Sequence, residues 1–208
     1  MYKPEDLAAW YFRLNGYLAI PNFVLHRDDG GQRTEVDVVG VRFPYRDEFG
    51  VGNVDDPALG FDEHRLHVIL AEVKRTEACP NPTWTNEGER NLHDILRAIG
   101  FVRSRDVDAV AAQLYRDGRA AYDSVIISLV FVGERLSPRL AAAYPSVPFR
   151  RWNDVLQFVF SRFSRFDRMK SQNDQWDGAG RKLWDLWLAH DKSDAFCVAA
   201  RQEFNLRR

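Results

Sequence analysis

The stretch 67-HVILAEVKRT-76 decides how this chain folds and where its chemistry sits. Val68-Ile69-Leu70-Ala71 is an apolar run of the kind carried by a strand buried in a sheet. Glu72 and Lys74 then follow, two residues apart around Val73. Side chains alternate across a strand, so Val68, Leu70, Glu72 and Lys74 share one face. The apolar half packs, and the C-terminal half delivers a carboxylate and an ammonium to the same side.

A second segment, 33-RTEVDVVGV-41, supplies the partner. Arg33, Glu35, Asp37, Val39 and Val41 share a face, and Asp37 stands among Val36, Val38 and Val39. A carboxylate in such surroundings needs a partner to offset its desolvation. If the two strands are neighbours, Asp37 and Glu72 converge and repel, and one pKa rises unless a cation lies between them. Hard oxygen ligands select magnesium or manganese, with the remaining positions filled by water and a backbone carbonyl, for which Val73 is the candidate. Lys74 beside that cation would orient an attacking water or stabilise charge on a phosphate oxygen. These parts describe phosphodiester hydrolysis, with Asp37, Glu72 and Lys74 as the catalytic set.

The flanking sequence places these segments in order. In 3-KPEDLAAWYFRLNGY-17, Pro4 suits a first turn, Glu5 and Asp6 suit the positive end of the helix dipole, and Asn15-Gly16 is a stop. The strand 17-YLAIPNFVLHRD-28 carries Pro21, which argues for an edge or a bulge, and a Gly-rich turn joins it to 33–41 as a hairpin. Residues 44–64 read as a surface loop that a partner orders. After 67–76 come helices at 86–102 and 105–118, a central strand in 122-YDSVIISLVFVGE-134, a short strand near 147–152, a helix with Asn153 as N-cap, and a helical tail over 179–205. The expectation is an α/β chain with a mixed central sheet flanked by helices: a core over 1–150, and 151–208 as a C-terminal helical extension of the same domain.

The chain has 208 residues, 45% of them apolar, which is enough for one domain with a real core. The net charge of −1 does not advertise a polyanion partner, so any nucleic acid must meet a local patch. Cys79 and Cys197 lie far apart without metal-ligand spacing and read as free thiols in a reducing cytosol. The N-terminus lacks the pattern of a signal peptide, and no apolar run reaches the length of a membrane helix. The expectation is a cytoplasmic protein with no membrane partner.

A helix, an acid on a hairpin strand, and Glu-x-Lys closing the next strand together resemble the PD-(D/E)XK (restriction-endonuclease-like) nuclease superfamily. The likeness covers roughly residues 1–135. It implies an αβββαβ core, a Mg²⁺- or Mn²⁺-dependent endonuclease or exonuclease, and DNA, or RNA, as substrate. It also implies a role in bacterial defence or DNA repair. By the resemblance, Asp37 and Glu72 match the two metal-binding acids, with Val73 lending its carbonyl, and Lys74 matches the lysine. Glu5 matches an acid that some members place in the first helix. Val36 stands where the motif has proline, and the 44–64 segment lengthens the spacing from Asp37 to Glu72.

Other residues carry two readings each. Glu35 is a candidate additional acid or a solvated hairpin charge. Trp84 stacks on a base or seals the core, and Asn81 bonds a phosphate or serves a turn. His93 is placed on the polar, exposed side of its helix. The basic and aromatic segment 149-FRRWNDVLQFVFSRFSRFDRMK-170 makes Arg150, Arg151, Arg162 and Arg165 candidate nucleic-acid contacts, against packed phenylalanines with solvated arginines. Two rival functions stay open: a non-catalytic nucleic-acid-binding or scaffold subunit of a larger complex or homo-oligomer, and an unrelated α/β interaction domain whose interface holds Trp176, Trp184 and Trp187.

Overall fold

The computed structural model describes residues 2–48, 54–79, 81–172 and 177–206; Trp176 lies outside them. Helix α1 (Pro4–Leu14) begins with Pro4 at its first turn, and the Asp6 carboxylate accepts the Lys3 amide at 2.9 Å. It stops at Asn15, whose side chain donates to the Tyr11 carbonyl. Strands β1 (Leu18–His26) and β2 (Gln32–Arg42) form the expected antiparallel hairpin, with β1 at the edge of the sheet. An edge position tolerates the amide that Pro21 lacks.

Strand β3 (Leu66–Val73) pairs antiparallel with β2. A two-residue strand β4 (Glu77–Ala78) and helices α2 (Pro82–Thr85), α3 (Asn91–Ile99) and α4 (Val107–Asp117) follow. Strand β5 (Arg119–Tyr122) turns into β6 (Val125–Gly133), which runs parallel to β3 over its full length, Leu66↔Val125 to Val73↔Val132. The intervening helices supply the crossover that a parallel pair requires. Strand β7 (Arg135–Leu136) pairs with β4 in a small second sheet. Helix α5 (Pro138–Ala143) leads to β8 (Phe149–Arg151), which pairs with the end of β6. Helices α6 (Trp152–Arg165), α7 (Asp167–Lys170), α8 (Gly178–Ala189) and α9 (Ser193–Glu203) complete the chain. The result is an α/β protein with a mixed six-stranded sheet flanked by helices.

Alternation along β3 and β6 feeds two cores. Ile69, Ala71, Val73, Val130 and Val132 pack under α1, α6, α8 and α9. Val68, Leu70, Ile127, Leu129 and Phe131 pack under α3 and α4. Strands covered on both faces read as continuous apolar runs, which is why these two were legible. Residues 151–206 contribute Trp152, Phe163, Phe196 and Phe204 to the same core as α1.

Several expectations change. β5 carries the sequence Arg-Ala-Ala-Tyr, too short and too small to announce a strand, and is held by its pairing with β6. Helix α6 begins at Trp152, with Arg151 and not Asn153 at its cap, because the buried Trp152 indole donates to the Lys74 carbonyl at 2.9 Å. The tail is two helices, broken at 190–192.

The described part of the 44–64 segment is bound to the body by charge. Asp55 bonds Arg42 at 2.6 Å and Arg46 at 2.8 Å, and Glu48 takes the buried Arg162. Asp56 is 4% exposed, accepts the Tyr11 hydroxyl at 2.7 Å, and pairs with Arg150 at 2.8 Å. Acids that read as surface decoration are counter-ions for buried arginines. No helix among the described residues is long and apolar enough to cross a membrane.

Removing one partner of a buried charged cluster leaves the others desolvated and unpaired. Asp56→Ala is therefore expected to lower unfolding stability by about 3 kcal/mol, and Asp29→Ala in the exposed hairpin turn by less than about 0.5 kcal/mol, both measured by urea denaturation.

Candidate active site

Pairing of β2 with β3 runs from Arg42↔His67 to Val38↔Ala71 and stops there. Continued by one step, the register would set Asp37 against Glu72. The strands part instead, and the Asp37 carboxylate accepts the Val73 amide at 2.7 Å. Val36 and Val38, which strict alternation would place together, lie in opposite cores. Asn22, the β1 residue across from Asp37, adopts a left-handed φ of 54°. The kink in the hairpin is thus where the acid is aimed at the end of β3. A strand residue directs its N–H and C=O to the same side, so the Val73 carbonyl is turned toward β2 as well.

Three charged groups meet here. The Lys74 ammonium contacts Glu72 Oε1 directly and lies 3.8 Å from Asp37 Oδ2. The Glu72 side chain is 2% exposed, and Lys74 is 36% exposed, so the cluster opens to solvent on the lysine side. Lys74 is held from both directions: its amide donates to the Val132 carbonyl and its carbonyl accepts the Trp152 indole.

Burial, followed by the charge of Asp37, pushes Glu72 up to about 7, against the opposing pull of Lys74 and a hydrogen bond from Asn81. Burial also raises Asp37, although the Val73 amide and Lys74 favour its charged form. For Lys74 burial is the largest single effect and lowers it, but Glu72 and Asp37 together outweigh it, so the ammonium is held above its ordinary value. The two upward shifts differ in origin: burial, then the charge of Asp37, raises Glu72, whereas the charges of Glu72 and Asp37 raise Lys74 against its burial.

Glu5, at the start of α1, is raised by burial and by the charge of Asp37, so a third acid from the opposite layer borders the site. Glu35 accepts a hydrogen bond from Gln32 at 2.7 Å, and its charge also reaches Asp37. Among the described residues no three His, Cys, Asp or Glu side chains are grouped closely enough to hold a metal. The donor chemistry still fits a hard cation: two carboxylates, a strand-end carbonyl, and a buried Glu72 Oε2 that has no hydrogen-bond partner. Asp37 and Glu72 would hold such an ion, with water and substrate completing its shell.

Three of the proposed nucleic-acid contacts face inward. Arg150 is taken by Asp56, and Arg162 is 3% exposed, bonded to Glu48 with its guanidinium over the Phe166 ring. Helical spacing puts Arg162 on the apolar face of α6, which is why it needed a counter-ion. Trp84 is 2% exposed and seals the core beneath α3. Arg151 and Arg165 are on the surface. His93, expected outside, is 3% exposed and packs on Tyr115. Asn81, read as a phosphate contact or a turn residue, bonds the Glu72 side chain, and Trp152, which the sequence did not offer as a site residue, bonds the Lys74 carbonyl. No spacing rule links either to Glu-x-Lys, since both reach it through the tertiary fold.

No protein-family model, curated protein or solved structure matches this chain.

The Glu72 shift has a signed consequence for the metal-free protein. A carboxyl raised from 4.5 to about 7 binds its proton more tightly when folded. The stability it contributes is complete below about pH 4.5 and is lost as pH rises through 7. Lys74 stays charged throughout that window and does not offset the loss. From pH 5 to 8 in EDTA the wild type should lose on the order of 3 kcal/mol relative to Glu72→Gln. Paired urea titrations measure this, and parallel pH profiles would refute the shift.

Proposed function

We propose that this chain is a divalent-cation-dependent nuclease of the restriction-endonuclease-like type, hydrolysing phosphodiester bonds in DNA. One observation carries the reading: Asp37, Glu72 and Lys74, from two strands, converge where β2 and β3 part, with the Val73 amide bound to Asp37 at 2.7 Å. The order of elements supports it. A helix, three antiparallel strands, a helical crossover and a strand parallel to the third give the αβββαβ succession that the resemblance implies.

On this reading Asp37, Glu72 and the Val73 carbonyl hold Mg²⁺ or Mn²⁺, and Glu5 or Glu35 adds negative charge nearby. The ion, when bound, neutralises the phosphate and makes a water more acidic. The protein residues do the rest. Asp37 is oriented by the Val73 amide, and Glu72 by Lys74 and Asn81. The partly exposed Lys74 ammonium offers N–H groups to the attacking water and to the phosphate oxygen on which charge grows. The buried walls of Val36, Leu70 and Phe131 keep the local dielectric low, which strengthens these contacts.

A second reading, a nucleic-acid-binding subunit without catalysis, is favoured by the absence of a three-acid cluster among the described residues. Metal binding separates the two. The first reading expects Mn²⁺ binding by calorimetry that weakens at least about tenfold in Asp37→Asn. It also expects cleavage of DNA in Mg²⁺ or Mn²⁺, none in EDTA, and a loss of about 100-fold or more in Asp37→Ala, Glu72→Ala and Lys74→Ala. Metal-dependent cutting that survives all three substitutions removes the site assignment. RNA, assayed alongside, tests the choice of substrate.

A further inference from the structure

At the end of the sheet remote from Glu72, three arginines line a cavity of about 470 Å³. Arg65 precedes β3, Arg116 lies in the last turn of α4, and Arg119 opens β5. Small side chains such as Ala121, the carboxylate Asp117 and Ser146 share the lining. The walls are fixed. Gly118 closes α4 with a left-handed φ of 65°, so near Val147 that a Cβ would sit 2.3 Å from its side chain. The Tyr144 hydroxyl donates to the Tyr115 carbonyl at 2.9 Å, tying that wall to α4.

The charges in this cavity do not cancel. Arg116 binds Asp117 through two nitrogens. The Asp123 carboxylate is bonded by Arg103 at 3.1 Å, which leaves Arg65 only the Asp123 carbonyl, at 3.0 Å. Among the described residues no carboxylate pairs with Arg119. Two guanidinium groups bordering one cavity without counter-ions repel each other. The buried Arg42 and Arg162 and the half-buried Arg150 are each matched by an acid, whereas Arg65 is half-buried and Arg119 exposed, so both are open to an anion from solvent. A tetrahedral phosphate anion suits such a lining, because planar guanidinium forks bind phosphate in a bidentate manner.

We infer that the cavity between Arg65, Arg116 and Arg119 is a phosphate-binding site, taking the phosphodiester group of a nucleic acid or the terminal phosphate of a small ligand. It lies six residues of strand from Glu72, about 20 Å. That is roughly six base pairs along a duplex, at about 3.4 Å each. A backbone phosphate here would anchor a polyanion at a distance from the catalytic cluster.

The test uses Arg65→Gln/Arg119→Gln, with Arg27→Ala in the hairpin turn as a control for general loss of positive charge. Sodium pyrophosphate is titrated calorimetrically. A fluorescein-labelled 12-nucleotide single-stranded DNA is followed by anisotropy between 50 and 200 mM salt. All measurements are made in EDTA, so the outcome does not depend on the nuclease reading, and urea midpoints check that each variant folds. Weakening of about tenfold or more for the oligonucleotide, with a salt slope shallower by about one to two, supports the site and assigns the backbone. Weakening for pyrophosphate alone supports the site and assigns a free phosphate ligand. Equal binding of both probes by wild type and double variant, equal weakening by Arg27→Ala, or no binding by wild type overturns the proposal.

Discussion

The hydrogen bond from the Val73 amide to the Asp37 carboxylate sets the geometry of everything chemical in this fold. In a regular antiparallel ladder that amide would meet a backbone carbonyl of β2. Here a side chain takes its place, so β2 is released from β3 after Val38, and the gap faces the end of the sheet. One substitution of acceptor thereby satisfies a buried donor, orients an acid and opens a site. It also raises the cost of change. Without the carboxylate, the Val73 amide would be buried and unpaired, so Asp37 carries a structural duty beside any catalytic one.

Glu72 is secured by opposite means. It stands at the end of a strand covered on both faces, and its apolar predecessors keep it out of water. Such a carboxylate tolerates its position by binding a proton, a lysine or a cation, and Lys74 is the partner the sequence provides. Lys74 is the most exposed member of the trio, so its ammonium has solvent on one side. The pair is a closed ion pair in the free protein and, on the proposed reading, a site that opens to a metal. A fully buried lysine could not serve both states.

The parts legible in the sequence are those governed by short-range rules. Period-two alternation located Glu72 and Lys74, Pro4 marked the start of α1, and the unbroken apolar run of β6 announced a central strand. What escaped was fixed by contacts distant in sequence. The inward turn of Arg162 depends on Glu48, 114 residues away, and the start of α6 depends on a bond from Trp152 to Lys74. Asn81 reaches Glu72 through the tertiary fold, not because of any spacing. Charged residues were the hardest to place, since a loop acid and a buried counter-ion look alike until the partner is known.

That internal pairing bears on how a chain of net charge −1 could handle a polyanion. Arg42, Arg46, Arg150, Arg162 and Arg201 are all held by acids of the protein itself, so these five are not free to release counter-ions from a phosphate backbone. Each phosphate contact contributes a salt slope of about 0.9 on duplex DNA, so a handful of contacts gives weak, moderately salt-sensitive binding. Affinity would then concentrate at two places along the β3 axis: the acid cluster at one end, which gains phosphate only through a cation, and the arginine cavity at the other, which needs none. A ligand spanning both would gain from each without new contacts between them, because the second contact forms within the same complex. The near-neutral total charge is therefore compatible with a phosphodiester substrate, provided recognition is local and metal-coupled instead of spread over a basic surface.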